Sequence, residues 1–241
     1  MKVAIIPARG GSKRIPKKNI KNFLGQPVIA YSIKAAHACQ LFDKIVVSTD
    51  SAEIADVARS YGAEVPFFRD KKLSDDDVPL SPVIANAIEF IENTSGAVEY
   101  ACCILATAPM IQIDLIKEGL IALERTSIGC AASVTSFGHP VLRSLLIDDT
   151  GRLKTLSRGF EELQIPNFES FRSNDLPEAY HDAAQFYWIN SEMFLRDQDI
   201  FRLDNALPIV VPRHLVQDLD TPEDWLTAEI IYEANKRRGY L

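Results

Sequence analysis

The feature that most constrains this chain lies at its amino end, where the apolar run Val3-Ala4-Ile5-Ile6 leads into Pro7-Ala8-Arg9-Gly10-Gly11-Ser12-Lys13-Arg14-Ile15-Pro16-Lys17-Lys18-Asn19. A short run of mostly branched residues, apolar on both faces, must be covered on both sides, which is the situation of a central strand in a helix-covered α/β sheet. Proline and two glycines end the run in a loop, and loops at the carboxyl ends of such strands are where open α/β sheets bind ligands. Gly10 and Gly11 let backbone amides approach an anion closely, while Arg9, Lys13, Arg14, Lys17 and Lys18 gather positive charge around them. The combination predicts a polyphosphate site.

The charge distribution supports that reading. Residues 1–42 carry eight basic side chains and no acidic one, whereas the rest of the 241 residues carries 18 basic against 33 acidic. A net charge of −7 argues against a general nucleic-acid binder, so cations concentrated at one end point to a small anionic ligand. Neither G-x-G-x-x-G nor G-x-x-x-x-G-K-[ST] occurs, which removes the support for a dinucleotide fingerprint or a P-loop. The four cysteines, Cys39, Cys102, Cys103 and Cys130, lie in apolar surroundings without metal spacing and read as buried thiols. No leader and no run of membrane-spanning length is legible, so a cytoplasmic protein with no membrane partner is expected.

Strand and helix patterns then alternate. Strands are predicted at 44–48, 65–68, 101–105 and 129–135, and helices at about 26–39, 52–60, 81–93 and 114–125. Such alternation predicts a mostly parallel sheet with helices on both faces. It stops after Thr135. From Ser136 to about Asp182 the chain has little periodicity, which reads as an arm inserted into one domain spanning 1–241, and His139-Pro140 sits at the arm's start. A β-prone run returns at Ala183–Asn190, another strand is read at Pro208–Val211, and Thr221-Pro222 caps and opens a last helix to about Arg237. Just before that helix, Asp218 and Asp220 stand two apart, so on an extended backbone they share a face. They can hold one Mg²⁺ together, or merely flank a helix N-terminus where acids are favourable.

The string Ile5-Ile6-Pro7-Ala8-Arg9-Gly10-Gly11-Ser12-Lys13, with Ile15-Pro16 and Lys18-Asn19, resembles the opening of the sugar-nucleotide cytidylyltransferases, the CMP-sialic acid synthetase group. That resemblance implies a Rossmann-like α/β fold with a protruding dimerisation arm, hence a homodimer. It implies that Arg9, Lys18 and the Gly10-Gly11 amides hold the β- and γ-phosphates of CTP, with Ala8, Ser12, Asn19, Arg69 and Ser81 also near the nucleotide. Asp218-Leu219-Asp220-Thr221-Pro222-Glu223-Asp224 resembles the family's metal motif, which makes Mg²⁺ the implied cofactor on Asp218 and Asp220. Arg9, Lys18, Asp218 and Asp220 are then the catalytic group.

The second substrate implied is an acidic nine-carbon sugar. Where the sialic acid enzymes carry Gln-Pro-Thr-Ser-Pro-Leu-Arg, this chain reads Leu105-Ala106-Thr107-Ala108-Pro109-Met110-Ile111, without the amide or the guanidinium. That stretch, His139-Pro140 and Leu176 to Trp188 resemble the pseudaminic acid branch of the family. Pseudaminic acid is a less hydroxylated sugar suited to a more apolar pocket. Thr107, His181, Asp182, Gln185 and Tyr187 are the candidate sugar contacts, and Phe186, Tyr187 and Trp188 a candidate apolar surface. The alternatives are the same chemistry on legionaminic or N-acetylneuraminic acid, or a nucleotide-binding module without catalysis.

Overall fold

The computed structural model describes residues 1–147, 149–155, 172, 176–197 and 206–241. Strand β1 (Lys2–Pro7) feeds the basic loop; a small ladder of β2 (Asn22–Phe23) and β3 (Gln26–Pro27) precedes helix α1 (Val28–Cys39), and β4 (Lys44–Ser48) and α2 (Ala52–Ser60) follow. Then come α3 (Leu80–Ser95), β5 (Tyr100–Ile104), α4 (Ile113–Glu124) and β6 (Cys130–Ser136), the hairpin β7 (Leu145–Ile147) and β8 (Leu153–Thr155), then β9 (Tyr180–Asn190), α5 (Ser191–Asp197), β10 (Leu207–Val210) and α6 (Pro222–Arg237). Ser51 caps α2 by accepting the Ile54 N–H at 3.4 Å, and Thr221 and Asp224 form a reciprocal capping box at α6.

The main sheet runs β10-β6-β9-β5-β1-β4. β1 pairs in parallel with β4 and β5, and β10 with β6, while β9 lies antiparallel between β5 and β6. The sheet is therefore mostly parallel with one reversed interior strand, and its carboxyl edge carries the basic loop.

Burial explains why the strands read as unbroken apolar runs. Ala4, Ile6, Val47, Cys102, Phe186 and Trp188 face the layer that includes Ile29 and Ile33 of α1 and Ile116 and Leu120 of α4. Val3, Ile5, Val46, Cys103, Tyr187 and Ile189 face Ile84, Ile88 and Ile91 of α3 and Phe194 of α5. Cys102 and Cys103 thus point to opposite faces. All four cysteines are free thiols, and burial pushes the Cys39 thiol up to about 11 and Cys130 to about 12.

Several sequence expectations are corrected. Val65–Phe68 is not a strand; Glu64 and Phe68 make single bridges to Val46 and Thr49, and Pro66, which has no N–H to donate, lies between them. α3 begins at Leu80 behind Pro79, so Ser81 is a buried residue of its first turn and not its cap. The stretch after Thr135 holds the β7–β8 hairpin, and Tyr180–Asp182, assigned to the arm, pairs with β6 instead. The remainder of the expected arm, 148, 156–171 and 173–175, lies outside the described residues. Phe186, Tyr187 and Trp188 are all core, none more than 2% exposed, because the strand that carries them is interior and covered on both faces. They offer no surface to a ligand.

Gly119 of α4 is required by close packing: a Cβ there would lie 2.8 Å from Trp188 Cδ1 and 3.3 Å from Phe186 Cε2. Trp188 cannot easily yield, since it stacks on Phe42 and its Nε1–H donates to Ile116 O at 2.8 Å. Gly119→Ala gains about 1 kcal/mol of helix propensity. The overpacking outweighs that gain, and a net loss of about 1–2 kcal/mol is expected by urea unfolding. An unchanged midpoint would show that α4 shifts freely on β9.

Candidate active site

Residues 200 positions apart are brought together by a hydrophobic anchor. Ile15 of the basic loop, Phe23, Val28, Leu219, Trp225 and Ala228 form one buried cluster, with Tyr31 and Tyr232 packed against it. Phe23 is met edge-on by Tyr31, Trp225 and Tyr232, with ring centroids 5.5–5.6 Å apart. α6 is therefore pinned beneath the loop that follows β1, and the acidic turn 217–221 that precedes α6 lies against that loop.

Lys18 closes the junction. Its ammonium donates to Leu219 O at 2.8 Å and reaches Asp220 Oδ1 at 3.3 Å, while Arg14 Nη1 lies 3.0 Å from Asp220 Oδ2. Asp224 shapes the turn by accepting from Thr221 N at 2.7 Å, Thr221 Oγ1 at 2.8 Å and Asp220 N at 3.2 Å. Asp218 Oδ1 accepts the Leu219 N–H at 2.8 Å. The Asp218 side chain reaches solvent, yet its carboxyl lies among enough protein that desolvation, and then the nearby negative charge of Asp220, raise its pKa. The two carboxylates thus share one electrostatic neighbourhood. They offer hard oxygen donors, the set suited to Mg²⁺, and no group of three or more His, Cys, Asp or Glu able to hold a metal occurs among the described residues.

A cleft of about 230 Å³ opens beside the junction, lined by Arg9, Ser12, Lys18, Asn19, Arg69 and Thr107 together with Leu73, Asp75, Val78, Leu80, Val83 and Leu105. Six of the expected site residues meet there. Arg69 is 5% exposed; burial lowers its pKa, and no ion pair holds its guanidinium among the described residues, although Nε donates to Ser74 Oγ at 3.1 Å. A buried cation in such a position is matched to an anionic or carbonyl group of a ligand. Asn19 donates to Arg9 O at 2.9 Å and so holds the loop as well as lining the cleft.

Other expected contacts are redistributed. The Ala8 N–H donates to Ser48 O at 2.9 Å and its side chain is buried, so it belongs to the sheet. The Gly10 N–H donates to Asp50 Oδ1 at 2.8 Å, and a Cβ on Gly10 would lie 3.1 Å from Ser51 Cβ; its role is to let the loop pass α2. Gly11, with no atom within 4 Å of where its Cβ would stand, keeps the open backbone expected of an anion contact. Lys17 pairs with Glu53 of α2 at 2.7 Å and turns away from the acidic pair. Leu80 and Val83, and not Ser81, line the cleft.

A cytidylyltransferase family model matches residues 3–237. The chain belongs to the cytidylyltransferase family. It is 39% identical to a pseudaminic acid cytidylyltransferase of Campylobacter jejuni over 99% of both chains, and 27% identical to a CMP-N,N'-diacetyllegionaminic acid synthase of Legionella pneumophila over 97% of both. A solved structure of CMP:2-keto-3-deoxy-manno-octonic acid synthetase complexed with CTP, 16% identical, covers 97% of this chain and 99% of its own with a TM-score of 0.67, which shows the shared fold.

Within this cytidylyltransferase the expected sugar contacts do not form one cluster. Thr107 lines the cleft, as do Leu105 and Ala106, while Ala108, Met110 and Ile111 are buried. Asp182 is fixed at the carboxyl edge of the sheet: it accepts a hydrogen bond from Tyr187 Oη and, through Oδ1, from Ala184 N at 2.8 Å. Desolvation and the Asp182 charge raise the pKa of Tyr187 strongly, so its phenol stays protonated as the donor. Gln185 is buried, donating from Nε2 to Leu215 O at 2.7 Å, and its Oε1 has no partner among the described residues. His181 lies against Phe137 at the base of the arm. Antiparallel pairing of β9 puts Tyr180–Asp182 beside Val134–Ser136 at the carboxyl end of β6, which leaves Asp182 as the best placed of the four.

The sequence reading missed Arg14 as a partner of Asp220, and Asp224 as the organiser of the acidic turn. The capping pattern Thr221-x-x-Asp224 was a legible signal for the second. Asp224→Ala is expected to cost about 1 kcal/mol in urea unfolding. An unchanged stability would show that Thr221 alone maintains the turn.

Proposed function

We propose that this cytidylyltransferase transfers CMP from CTP to pseudaminic acid, giving CMP-pseudaminic acid and pyrophosphate. The observation that carries the reading is the Lys18 junction, where a residue of the cation-rich loop that lines the cleft also holds the acidic turn bearing Asp218 and Asp220. The relative from C. jejuni, similar over the whole chain, directs the choice of sugar. In this reaction a sugar hydroxyl oxygen bonds to the α-phosphorus of CTP, the bond from that phosphorus to the bridging oxygen of pyrophosphate breaks, and the hydroxyl proton is released. Catalysis of such a transfer is mainly positioning and charge neutralisation. Arg9 and Lys18, with the Gly11 amide, take up the charge of the β- and γ-phosphates and steady the leaving pyrophosphate. Arg69 and Ser12 orient the nucleotide, and Asn19 holds the Arg9 loop in place.

Asp218 and Asp220 are the residues to hold Mg²⁺, which when bound supplies charge neutralisation at the phosphates and makes a nearby hydroxyl more acidic. The like-charge crowding of the two acids favours a cation between them. Thr107 and Asp182 are the polar groups assigned to the sugar. The β7–β8 hairpin leaves Leu145, Leu146, Ile147 and Leu153 more than half exposed, a surface that supports packing against a second copy, hence a homodimer. No helix among the described residues is long and apolar enough to cross a membrane. Four free thiols, three buried and Cys130 half-buried, accord with a reducing cytoplasm.

Pyrophosphate release measured with CTP fixed and three sugars compared tests the assignment: turnover with pseudaminic acid is expected to exceed that with legionaminic and N-acetylneuraminic acid. Faster turnover with neuraminate would overturn the choice of sugar. Asp220→Ala and Lys18→Met are each expected to lower turnover by at least a hundredfold, about 2.7 kcal/mol of transition-state stabilisation, with the far-UV spectrum unchanged. Chelation by EDTA is expected to abolish turnover and added Mg²⁺ to restore it; full activity in EDTA would remove the metal from the mechanism.

A further inference from the structure

The segment 70–79 forms the wall of the cleft that faces the basic loop, contributing Leu73, Asp75 and Val78 to its lining. From this wall Asp76 reaches across to the loop. Its Oδ1 meets Arg9 Nη1 at 2.5 Å and its Oδ2 accepts from the Lys13 ammonium, so both carboxylate oxygens are engaged by cations of the phosphate-binding loop. The Lys13 hydrogen bond, and then that of Arg9, hold the Asp76 carboxyl below its ordinary pKa. Asp75 and Asp77, on either side, make no ion pair among the described residues. The contact stands at the mouth of the cleft, with the Asp76 side chain 30% and Lys13 81% exposed, so water and ions reach it and exchange is easy.

A two-oxygen anion bridging a guanidinium and an ammonium is the arrangement a phosphate takes with the same groups. One guanidinium edge and one ammonium cannot serve both anions fully at once. We propose that Asp76 is an internal competitor for the phosphate seat: the triphosphate enters by displacing its carboxylate from Arg9 and Lys13, and the returning carboxylate speeds the departure of pyrophosphate. Asp76 thereby sets the affinity of the site for polyphosphate and couples segment 70–79 to its occupancy. The inference rests on the reading of the basic loop as the seat of the β- and γ-phosphates.

The test is a calorimetric titration of the full chain with inorganic pyrophosphate, CTP and CMP, comparing the unsubstituted protein with Asp76→Asn and Asp77→Asn, which remove the same charge. Asp76→Asn is expected to tighten pyrophosphate and CTP by about three- to tenfold, the size of two surface ion pairs. CMP, which lacks the outer phosphates, and Asp77→Asn are expected to change less than about twofold, because general charge acts weakly at exposed positions. In steady-state assays the same variant is expected to show stronger inhibition by pyrophosphate. Unchanged or weaker pyrophosphate binding in Asp76→Asn, or equal tightening in Asp77→Asn, overturns the competitor role and leaves the cytidylyltransferase reading intact. Failure of the unsubstituted protein to bind either CTP or pyrophosphate overturns both.

Discussion

The site depends on one ammonium group. Lys18 donates to a carbonyl and a carboxylate 201 and 202 residues further along the chain, and with Arg14 on the other oxygen of Asp220 it joins the loop after β1 to the turn before α6. A lone partly exposed ion pair contributes little to stability. Here the apolar packing beneath it, Phe23 among three aromatic rings and Leu219 fully buried, supplies the fixed geometry. The ion pair converts that geometry into electrostatics, because it sets a positive and a negative surface side by side. A nucleoside triphosphate and a divalent cation need surfaces of those two signs at adjoining positions.

The sheet supplies the other half of the precision. β1 sits between two parallel neighbours and is buried from Val3 to Ile6, so the loop that leaves its carboxyl end starts from a rigid platform. Asp50, two residues beyond β4, ties the Gly10 amide, and Asn19 ties the Arg9 carbonyl. Beyond the end of β1, the loop is therefore held at two further points although it has almost no regular structure of its own. Preorganisation of this kind is what a reaction controlled by charge placement requires.

Much of this was legible in the residues, and the misses have physical causes. Strands apolar on both faces, the helix cap at Thr221, and the boundaries of β4, α2 and α6 were all written in local pattern. So was the concentration of cations near the amino end. The strand expected at Val65–Phe68 failed because its β-prone residues carried a proline that breaks the ladder. The aromatic run 186–188 is a candidate surface from sequence because sequence does not say that β9 lies between two other strands; burial of both faces is a tertiary fact. The Gly10 amide and Ala8 were expected at the ligand because local spacing does not reveal that Asp50 and Ser48 already engage them. Asp76 lay in a polar stretch with no periodicity, where only three-dimensional proximity distinguishes it from Asp75 and Asp77.

The placement of β9 has a consequence for how the protein is made. It is the strand that joins β4, β1 and β5 to β6 and β10, and it runs opposite to both of its neighbours. A nascent chain released only as far as β6 holds the β4-β1-β5 half-sheet and a lone β6, each with an open hydrogen-bonding edge where β9 belongs. Those edges can be sealed only after residue 190 has left the ribosome, so the interval of synthesis between β6 and β9 is the period in which the growing polypeptide is most exposed to unwanted strand pairing.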